Sequence, residues 1–385
     1  MQPQAFRIDI PDALLEDMRA RLRATRLPGD FGNDNWRYGV EQGWLEGMLH
    51  YWAEDYDWRA AEAAMNTLPH YRVTIDDIPI HFVHLRGTGR HRRPLILTHG
   101  WPWSFLDWVE AGRRLADPGA YGGDPEDGCD VVIPSLPGFG FSAPLRQTGI
   151  GPTQIAGLWM RLMTEALGYP RFGAAGGDWG AMVTLEMGCH HHTPIDGIYL
   201  TLPVVPGLDG RGFDASMFAE DEQWMIARRD AAAPTVVSHI TVHMNDPQTL
   251  AYALADSPAG TAAWIWERRR AWSDCDGNVE AVFGRDGLCT LASLYWLTNT
   301  IGSSLRIYAE WFNPASGPAM GAQTRIKVPT GYGIGPKDIV FLPRKLAAEH
   351  CDLRRWTVFA RGGHFGPAEQ PAAVAADIQA FFRAL

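Results

Sequence analysis

The residues best suited to chemistry lie in the segment Gly176-Gly177-Asp178-Trp179-Gly180, which follows a short apolar run and precedes a helical pattern. Glycine two positions before and two positions after a central residue is typical of the strained strand-to-helix turn that lifts a nucleophile above a sheet. Asp178 occupies the nucleophile's position here. A plain turn in which Asp178 caps the helix fits the same short pattern, so the motif alone leaves both interpretations open.

A carboxylate nucleophile does different chemistry from a serine. It is ionised at neutral pH, so it needs no base to activate it. It can displace a leaving group at a saturated carbon and form an alkyl ester, which activated water then hydrolyses. Epoxides and alkyl halides suit this reaction. A halide leaves without a proton, whereas the oxygen of an epoxide leaves as an alkoxide and needs an acid.

Two later residues extend the pattern. Asp338 follows the predicted strand 325–333, and His364 follows a predicted strand that ends near Gly362. Parallel sheets place their sites at the carboxyl ends of strands, and the order nucleophile, acid, histidine is that of α/β-hydrolases. We therefore predict Asp178 as the nucleophile, His364 as the base that activates water, and Asp338 as the acid that orients His364.

The segment His99-Gly100-Trp101-Pro102 follows the first predicted core strand. α/β-hydrolases take one backbone N–H of the oxyanion hole from this loop and the other from the residue after the nucleophile. We therefore predict that the N–H groups of Trp101 and Trp179 form the hole, with Pro102 beside them as a substrate contact. A simple turn would explain the glycine and the proline but not their position in the chain.

Neither a metal nor a nucleotide cofactor is predicted. His190, His191 and His192 suit the end of a helix, where they favour its dipole, so we expect no metal site there. Gly138-Phe139-Gly140 lacks the third glycine or the Lys-Ser/Thr pair of a phosphate loop. We expect a cofactor-independent protein without a metal.

The elements that must position these residues follow a regular alternation of strands and helices. Strand and helix patterns alternate over 91–205 and again over 319–385, which indicates a mostly parallel sheet covered on both faces. Residues 206–318 lose the strand signal and are rich in aromatic residues, so we predict a helical cap inserted into this core. Residues 1–90 form an N-terminal extension with two helices and two strands. The predicted fold class is α/β, with an α/β-hydrolase core.

Composition limits the partners and the location. A net charge of −10 argues against a nucleic-acid partner. The N-terminus shows neither a signal peptide nor an 18-residue apolar run, and the five scattered cysteines suit a reducing compartment, so we expect a soluble cytoplasmic protein without a membrane anchor. Sixteen tryptophans suggest an aromatic-lined cavity or plain core packing. The sequence leaves a homo-oligomer open.

Motifs along nearly the whole chain resemble the microsomal-type epoxide hydrolases of the α/β-hydrolase superfamily. They are HGWPWSFLDW, SLPGFGFS, GGDWGA, DSPAG, SSLRIY, VPTGYG and RGGHF, joined by HYWAEDYDWRAAEAAMNTLPHY and IHFVHL in the opening section. The resemblance implies a soluble, bacterial-type member that opens an epoxide to a vicinal diol, and the aromatic-rich cap suits a small hydrophobic, aromatic epoxide. The resemblance also implies that Asp178, Asp338 and His364 form the triad and that Tyr308 is a ring-opening tyrosine of the cap.

One position departs from that family. Its first cap tyrosine lies eight residues before the proline of a P-x-T element, here Pro247 and Thr249, and that position holds His239. His239 could replace the tyrosine as a second proton donor or substrate contact, or be a structural histidine. Alternatively, the alignment slips there, or ring opening relies on Tyr308 alone.

Two other functions fit part of the pattern. A haloalkane dehalogenase-like hydrolase would share Asp178 and bind halide through Trp101 and Trp179, but Tyr308 argues against it. A catalytically silent member that binds a hydrophobic ligand through the cap has only His239 in its favour. Detoxification and secondary metabolism are not separable from the sequence.

Overall fold

Among the residues that the computed structural model describes, 1–90, 92–207, 214–318, 321 and 324–385, nine strands form one sheet. They are β1 (Gln4–Ala5), β2 (His70–Ile75), β3 (Ile78–Leu85), β4 (Pro94–Thr98), β5 (Asp130–Pro134), β6 (Phe172–Gly176), β7 (Ile195–Leu200), β8 (Pro329–Ile334) and β9 (Asp352–Val358). The predicted segment boundaries at residues 91 and 319 lie outside the described residues, as do residues 208–213 of the predicted cap.

The sheet has the order β1-β2-β3-β5-β4-β6-β7-β8-β9. The first three pairings in this order are antiparallel, and the remaining pairings, from β5 to β9, are parallel. The mostly parallel sheet with connecting helices confirms the predicted α/β class. β2 and β3 belong to the N-terminal section, so that section extends the main sheet. Their hairpin turns at Asp76 and Asp77, which both have positive φ.

Helices follow the strands and fill the long segment between β7 and β8. They are α1 (Asp12–Arg23), α2 (Gln42–Glu54), α3 (Trp58–Met65), α4 (Leu106–Ala116), α5 (Pro152–Arg161), α6 (Trp179–His190), α7 (Trp224–Asn245), α8 (Pro247–Asp256), α9 (Pro258–Trp272), α10 (Val279–Leu297), α11 (Ile301–Phe312), α12 (Arg344–His350), α13 (Gly366–Glu369) and α14 (Pro371–Arg383). No helix in the described ranges has both the length and the apolar character needed to cross a bilayer.

Two strands end earlier than the sequence pattern indicates. β9 ends at Val358, although the apolar pattern predicts a strand to about Gly362, and β5 ends at Pro134, although the pattern over 131–140 predicts a longer strand. Glycines with positive φ follow both strands, Gly362 at 115° and Gly138 at 80°, so the chain turns away from the sheet at these points. The residues between strand end and glycine form loops at the carboxyl edge of the sheet.

The helices α7 to α11 lie between β7 and β8, and α10 packs against the N-terminal section. The indole Nε1 of Trp52 in α2 donates to Ser293 Oγ in α10 at 2.8 Å, and Trp44 Nε1 donates to Glu280 at 2.8 Å. Tyr51 donates to Asp286 in the same helix. Aromatic residues with one polar atom suit such a contact, because they bury a large apolar surface and still satisfy the polar group.

Replacing Trp52 by Ala is expected to lower the free energy of unfolding by about 3–5 kcal/mol, because the side chain is fully buried and also loses its bond to Ser293. Tyr38→Ala is the matched control. Its ring is 69% exposed, so the change should stay within about 0.5 kcal/mol. Urea unfolding followed by circular dichroism measures both. Equal losses in the two variants would contradict the proposed packing of α2 on α10.

Candidate active site

The turn between β6 and α6 presents Asp178 above the carboxyl edge of the sheet. Asp178 has φ 53° and ψ −127°, a backbone conformation that L-residues rarely adopt. The turn also requires close packing. A Cβ on Gly180 would lie 2.0 Å from the carbonyl oxygen of Thr98, and one on Gly100 would lie 2.0 Å from Asp178 Oδ1. The two glycines are therefore needed for the carboxylate to sit where it does.

The two oxygens of the Asp178 carboxylate have different partners. The backbone N–H of Trp101 donates to Oδ1 at 2.7 Å, and His364 Nε2 lies 3.2 Å from Oδ2. Trp179 is the first residue of α6, so its N–H is one of the helix's unpaired amides at the positive end of the dipole. The side chain of Asp178 is 14% exposed, which leaves part of it open to a small molecule.

His364 lies between two carboxylates. Its Nδ1 is 2.9 Å from Oδ1 of Asp338, a fully buried residue whose same oxygen accepts the N–H of Ile339 at 2.7 Å. Burial alone would lower the pKa of His364, but the charges of Asp338 and Asp178 outweigh it and raise the pKa to about 9. His364 is therefore protonated at neutral pH while both carboxylates are charged.

Tyr308 of α11 and His239 of α7 contact each other in the helical segment. The hydroxyl of Tyr308 lies 3.1 Å from His239 Nε2, and His239 Nδ1 lies 3.3 Å from the carbonyl oxygen of Thr235. A carbonyl can only accept, so Nδ1 carries the proton and Nε2 accepts from Tyr308. Burial and the charges of His243 and Arg268 lower the pKa of His239, which keeps the ring neutral.

The phenol of Tyr308 keeps its proton over the physiological range. Burial and the negative charge of Asp178 raise its pKa well above that of free tyrosine. Its ring meets the ring of Trp179 edge to face, with the centroids 4.6 Å apart. Tyr308 thus lies beside the residue that follows the nucleophile and holds a proton that can be donated.

A residue of the helical segment, Arg269, binds the loop that carries Trp101. Arg269 of α9 donates to the carbonyl oxygen of Pro102 at 3.0 Å and makes two bonds, at 2.6 and 2.9 Å, to the carboxylate of Asp107. All three contacts are buried. The sequence analysis did not predict the pair of Arg269 and Asp107. Asp107 falls within the motif HGWPWSFLDW, and its charge in an otherwise apolar motif was the available signal. A substrate contact by Pro102 stays a prediction.

Tryptophans surround the histidine and the nucleophile. The rings of Trp103 and Trp272 both stand edge-on to the imidazole of His364, with centroids 5.4 Å away in each case. Trp101 stacks on His239 at 5.4 Å, and Trp311 lies beside Trp179. Some of the sixteen tryptophans thus form the walls of an apolar site. Their rings also shield the charges of the site from water.

The structure joins the predicted residues into two groups. Asp178, Asp338 and His364 form one chain of contacts with the Trp101 N–H, and Tyr308 and His239 form a pair beside Trp179. Within the described ranges, no three His, Cys, Asp or Glu side chains are grouped as metal ligands would be. The first group can form and hydrolyse a covalent ester, and the second can supply a proton.

Two family models match the chain. Residues 3–108 match the model described as the epoxide hydrolase N terminus, and residues 93–232 match the alpha/beta hydrolase fold. The first match spans the N-terminal section with its helices and strands, and the second spans the strands and turn that carry Asp178. Together they cover the segments that position the first half of the site.

Curated relatives match almost the full chain. A protein of Stigmatella aurantiaca named "Putative epoxide hydrolase" is 38% identical over 99% of this chain and 84% of its own length. Epoxide hydrolase 1 of Sus scrofa is 30% identical over 98% of this chain and 87% of its own length.

Solved structures of epoxide hydrolases have a similar fold over the full chain. The Aspergillus niger epoxide hydrolase superposes with a TM-score of 0.86 at 26% identity, covering 100% of this chain and 97% of its own. The juvenile hormone epoxide hydrolase of Bombyx mori reaches 0.83 at 25% identity, covering 100% and 94%. These likenesses extend over the N-terminal section, the sheet and the helical segment alike.

The raised pKa of His364 predicts a pH-dependent contribution to stability. Unfolded histidine titrates near 6.5, and the folded group near 9. The contribution, on the order of 3 kcal/mol, is therefore fully present below pH 6.5 and lost as the pH rises through 9. Urea unfolding of the wild type and of His364→Gln between pH 6 and pH 10 measures it. Parallel pH curves for the two proteins would contradict the raised pKa.

Proposed function

This chain belongs to the epoxide hydrolase family, with the α/β hydrolase fold, and we propose that it converts an epoxide to a vicinal diol through a covalent ester on Asp178. One observation carries the proposal. The Asp178 carboxylate has one oxygen on the Trp101 N–H and the other beside His364, which is backed by Asp338. That arrangement supports both ester formation and ester hydrolysis.

In the first step, Oδ2 of Asp178 attacks a ring carbon of the epoxide. The new bond joins Oδ2 to that carbon, while the carbon–oxygen bond of the strained ring breaks and the oxygen leaves with its electron pair. Oδ1 stays on the Trp101 N–H throughout. The contact of Oδ2 with His364 is longer, at 3.2 Å, than the 2.7 Å bond of Oδ1 to the Trp101 N–H, so Oδ2 is the oxygen more available to become the ester oxygen.

Tyr308 supplies the proton that the departing oxygen needs. Its hydroxyl is the donor in the bond to His239 Nε2, so it must turn from His239 to the epoxide oxygen as the ring opens. His239 holds no proton on that nitrogen, which favours a single acid over a second donor at this position. We propose that His239 orients the phenol in the free protein.

In the second step, His364 takes a proton from water, and the water oxygen adds to Cγ of Asp178. Esterification removes the negative charge of Asp178, one of the two charges that raise the pKa of His364. The histidine can therefore give up its proton, which replaces the one that Tyr308 donated, and act as a base once the ester exists. The oxyanion forms on Oδ1, already bound by the Trp101 N–H. When it collapses, the Cγ–Oδ2 bond breaks, His364 returns the proton of the water to Oδ2, and the diol leaves with Oδ2. The new carboxyl group of Asp178 then protonates His364, which restores the starting state.

The aromatic surroundings suggest the class of substrate. The rings of Trp101 and Trp179 contact the ring of Tyr308, Trp311 lies against Trp179, and Trp272 lies against His364. Rings of this kind favour an apolar, aromatic substituent next to the epoxide. We propose a small hydrophobic epoxide of this type as the substrate.

A carbon–halogen hydrolase is the second candidate. The indole N–H groups of Trp101 and Trp179 are buried, and neither has an acceptor among the described residues, so they could bind a halide leaving group. A haloalkane needs no proton donor, however, and the Tyr308–His239 pair would have no task. Halide release from a haloalkane panel, with no diol from styrene oxide, would favour this candidate.

A single turnover in heavy-oxygen water tests the ester. With enzyme in excess over styrene oxide, the diol should leave with an unlabelled oxygen from Asp178, and the label should enter the Asp178 carboxylate. Mass spectrometry of the diol and of the peptide containing residue 178 measures both. Asp178→Ala is the control and should form no diol. Label found mainly in the first-turnover diol would rule out the covalent route.

Replacing Tyr308 by Phe should slow ester formation by a factor of about 10²–10⁴, because the departing oxygen then has no proton donor. Hydrolysis of the ester should be little affected, since its proton transfer belongs to His364. Rapid-mixing measurements of the two steps separate them. His239→Ala keeps the phenol and should slow ester formation by a smaller factor. A loss as large as that of Tyr308→Phe would instead indicate that His239 donates a proton.

A further inference from the structure

The loop 362–365, which carries His364, is bound through four consecutive backbone N–H groups. Gly362 N donates to Asp274 Oδ2 at 3.0 Å, and His364 N donates to the carbonyl oxygen of Trp272 at 2.8 Å. The N–H groups on either side of His364, those of Gly363 and Phe365, both donate at 2.9 Å to one carboxylate.

That carboxylate belongs to Glu369, the last residue of α13. Its Oε1 accepts from Phe365, and its Oε2 accepts both from Gly363 and, at 2.7 Å, from the N–H of Asp274. Asp274 follows α9, so the same carboxylate joins the histidine loop to the helical segment. The carboxylate of Glu369 thus accepts three backbone N–H groups, which is more than it needs to replace the hydrogen bonds to water that it loses in the fold.

The packing around this carboxylate is close. A Cβ on Gly363 would lie 2.4 Å from the carbonyl oxygen of Trp272, so the loop and the residues after α9 are in contact through their backbones. Asp274 is itself held by Lys337 at 2.8 Å and by Arg361. A shift of Glu369 would therefore move the loop and its histidine relative to both α9 and Asp338.

We propose that Glu369 is a positioning residue for His364, whose carboxylate binds the amides on both sides of the histidine and aligns the imidazole with the ester on Asp178. This proposal rests on the proposed function, because it assigns His364 to ester hydrolysis. Asp178 is oriented separately, by the Trp101 N–H and the turn after β6. Loss of the Glu369 contacts should therefore impair the second chemical step and spare the first.

The test compares Glu369→Gln with a matched control. A glutamine keeps the size but places an NH₂ group against an N–H donor that the carboxylate accepted. Glu222→Gln is the control, because Glu222 is a buried glutamate that likewise accepts backbone N–H groups, from Ala219 and Arg344, outside the histidine loop. Burial raises the pKa of Glu369 to about 7, so the proteins are compared at pH 8, where the wild-type carboxylate is ionised.

Rapid mixing of excess enzyme with styrene oxide, acid quenching and intact-protein mass spectrometry follow the alkyl-enzyme, while chromatography follows the diol. In Glu369→Gln, the alkyl-enzyme should form within about twofold of the wild-type rate and disappear at least about tenfold more slowly, so that it accumulates. Glu222→Gln should match the wild type in both steps. If Glu369→Gln does not fold, Glu369→Asp, which is one methylene too short to span both amides, should show the same slowing.

Two results would overturn the proposal. One is an unchanged hydrolysis rate in Glu369→Gln, and the other is an equal slowing of ester formation and hydrolysis, which would indicate a general structural effect. The wild-type protein tests the proposed function separately. If it forms neither the alkyl-enzyme nor the diol, the covalent mechanism itself is wrong. A second readout is the low-field proton resonance of the His364–Asp338 bond, which should shift in Glu369→Gln and stay in place in Glu222→Gln.

Discussion

Asp178 reaches its place above the sheet only through a backbone conformation that is unfavourable for a residue with a side chain. The positive φ costs about 1–3 kcal/mol, and the surrounding packing must hold it. Gly180 lets α6 press against the carbonyl of Thr98, and Gly100 lets the neighbouring loop approach the carboxylate. The Trp101 N–H then reaches Oδ1, and every other feature of the site is arranged around a carboxylate that is already fixed.

Charge is the second constraint on the site. His364 is buried between two carboxylates, and a buried imidazolium is stable only while they balance it. In the reaction proposed above, esterification removes one of the two charges, so the same histidine would be an ion-pair partner before the first step and a base after it. The proposed reaction would thus change the protonation of its own base, and the shielding tryptophans would strengthen that effect by excluding water.

The sequence predicted the class of fold and the residues that meet in the site, because both leave local patterns. Glycines at two-residue spacing mark the Asp178 turn, and the order Asp178, Asp338, His364 follows from the strands. The ends of β5 and β9 were harder to predict, because apolar loop residues continue the strand pattern past the last ladder bond. Contacts between distant segments left little pattern. The charge of Asp107 in an apolar motif indicated a buried partner but not that the partner is Arg269, and nothing local linked Glu369 to the histidine loop. The proton on His239 likewise depends on the carbonyl of Thr235.

The helical segment between β7 and β8 does more than supply Tyr308. Arg269 holds the carbonyl beside Trp101, and the carbonyl of Trp272 accepts the N–H of His364, so two loops of the sheet are oriented by one helix, α9. Helix α9 in turn packs against the N-terminal section. The rings of Trp44 and Trp52 both contact the ring of Trp266 in α9, with the centroids 5.7 Å apart in each case. None of the site residues described above belongs to the N-terminal section, yet that section supports the helix that positions two parts of the site. A sheet with a fixed nucleophile but a displaced α9 would keep Asp178 in place and lose the alignment of its partners, which is why these three segments must fold together.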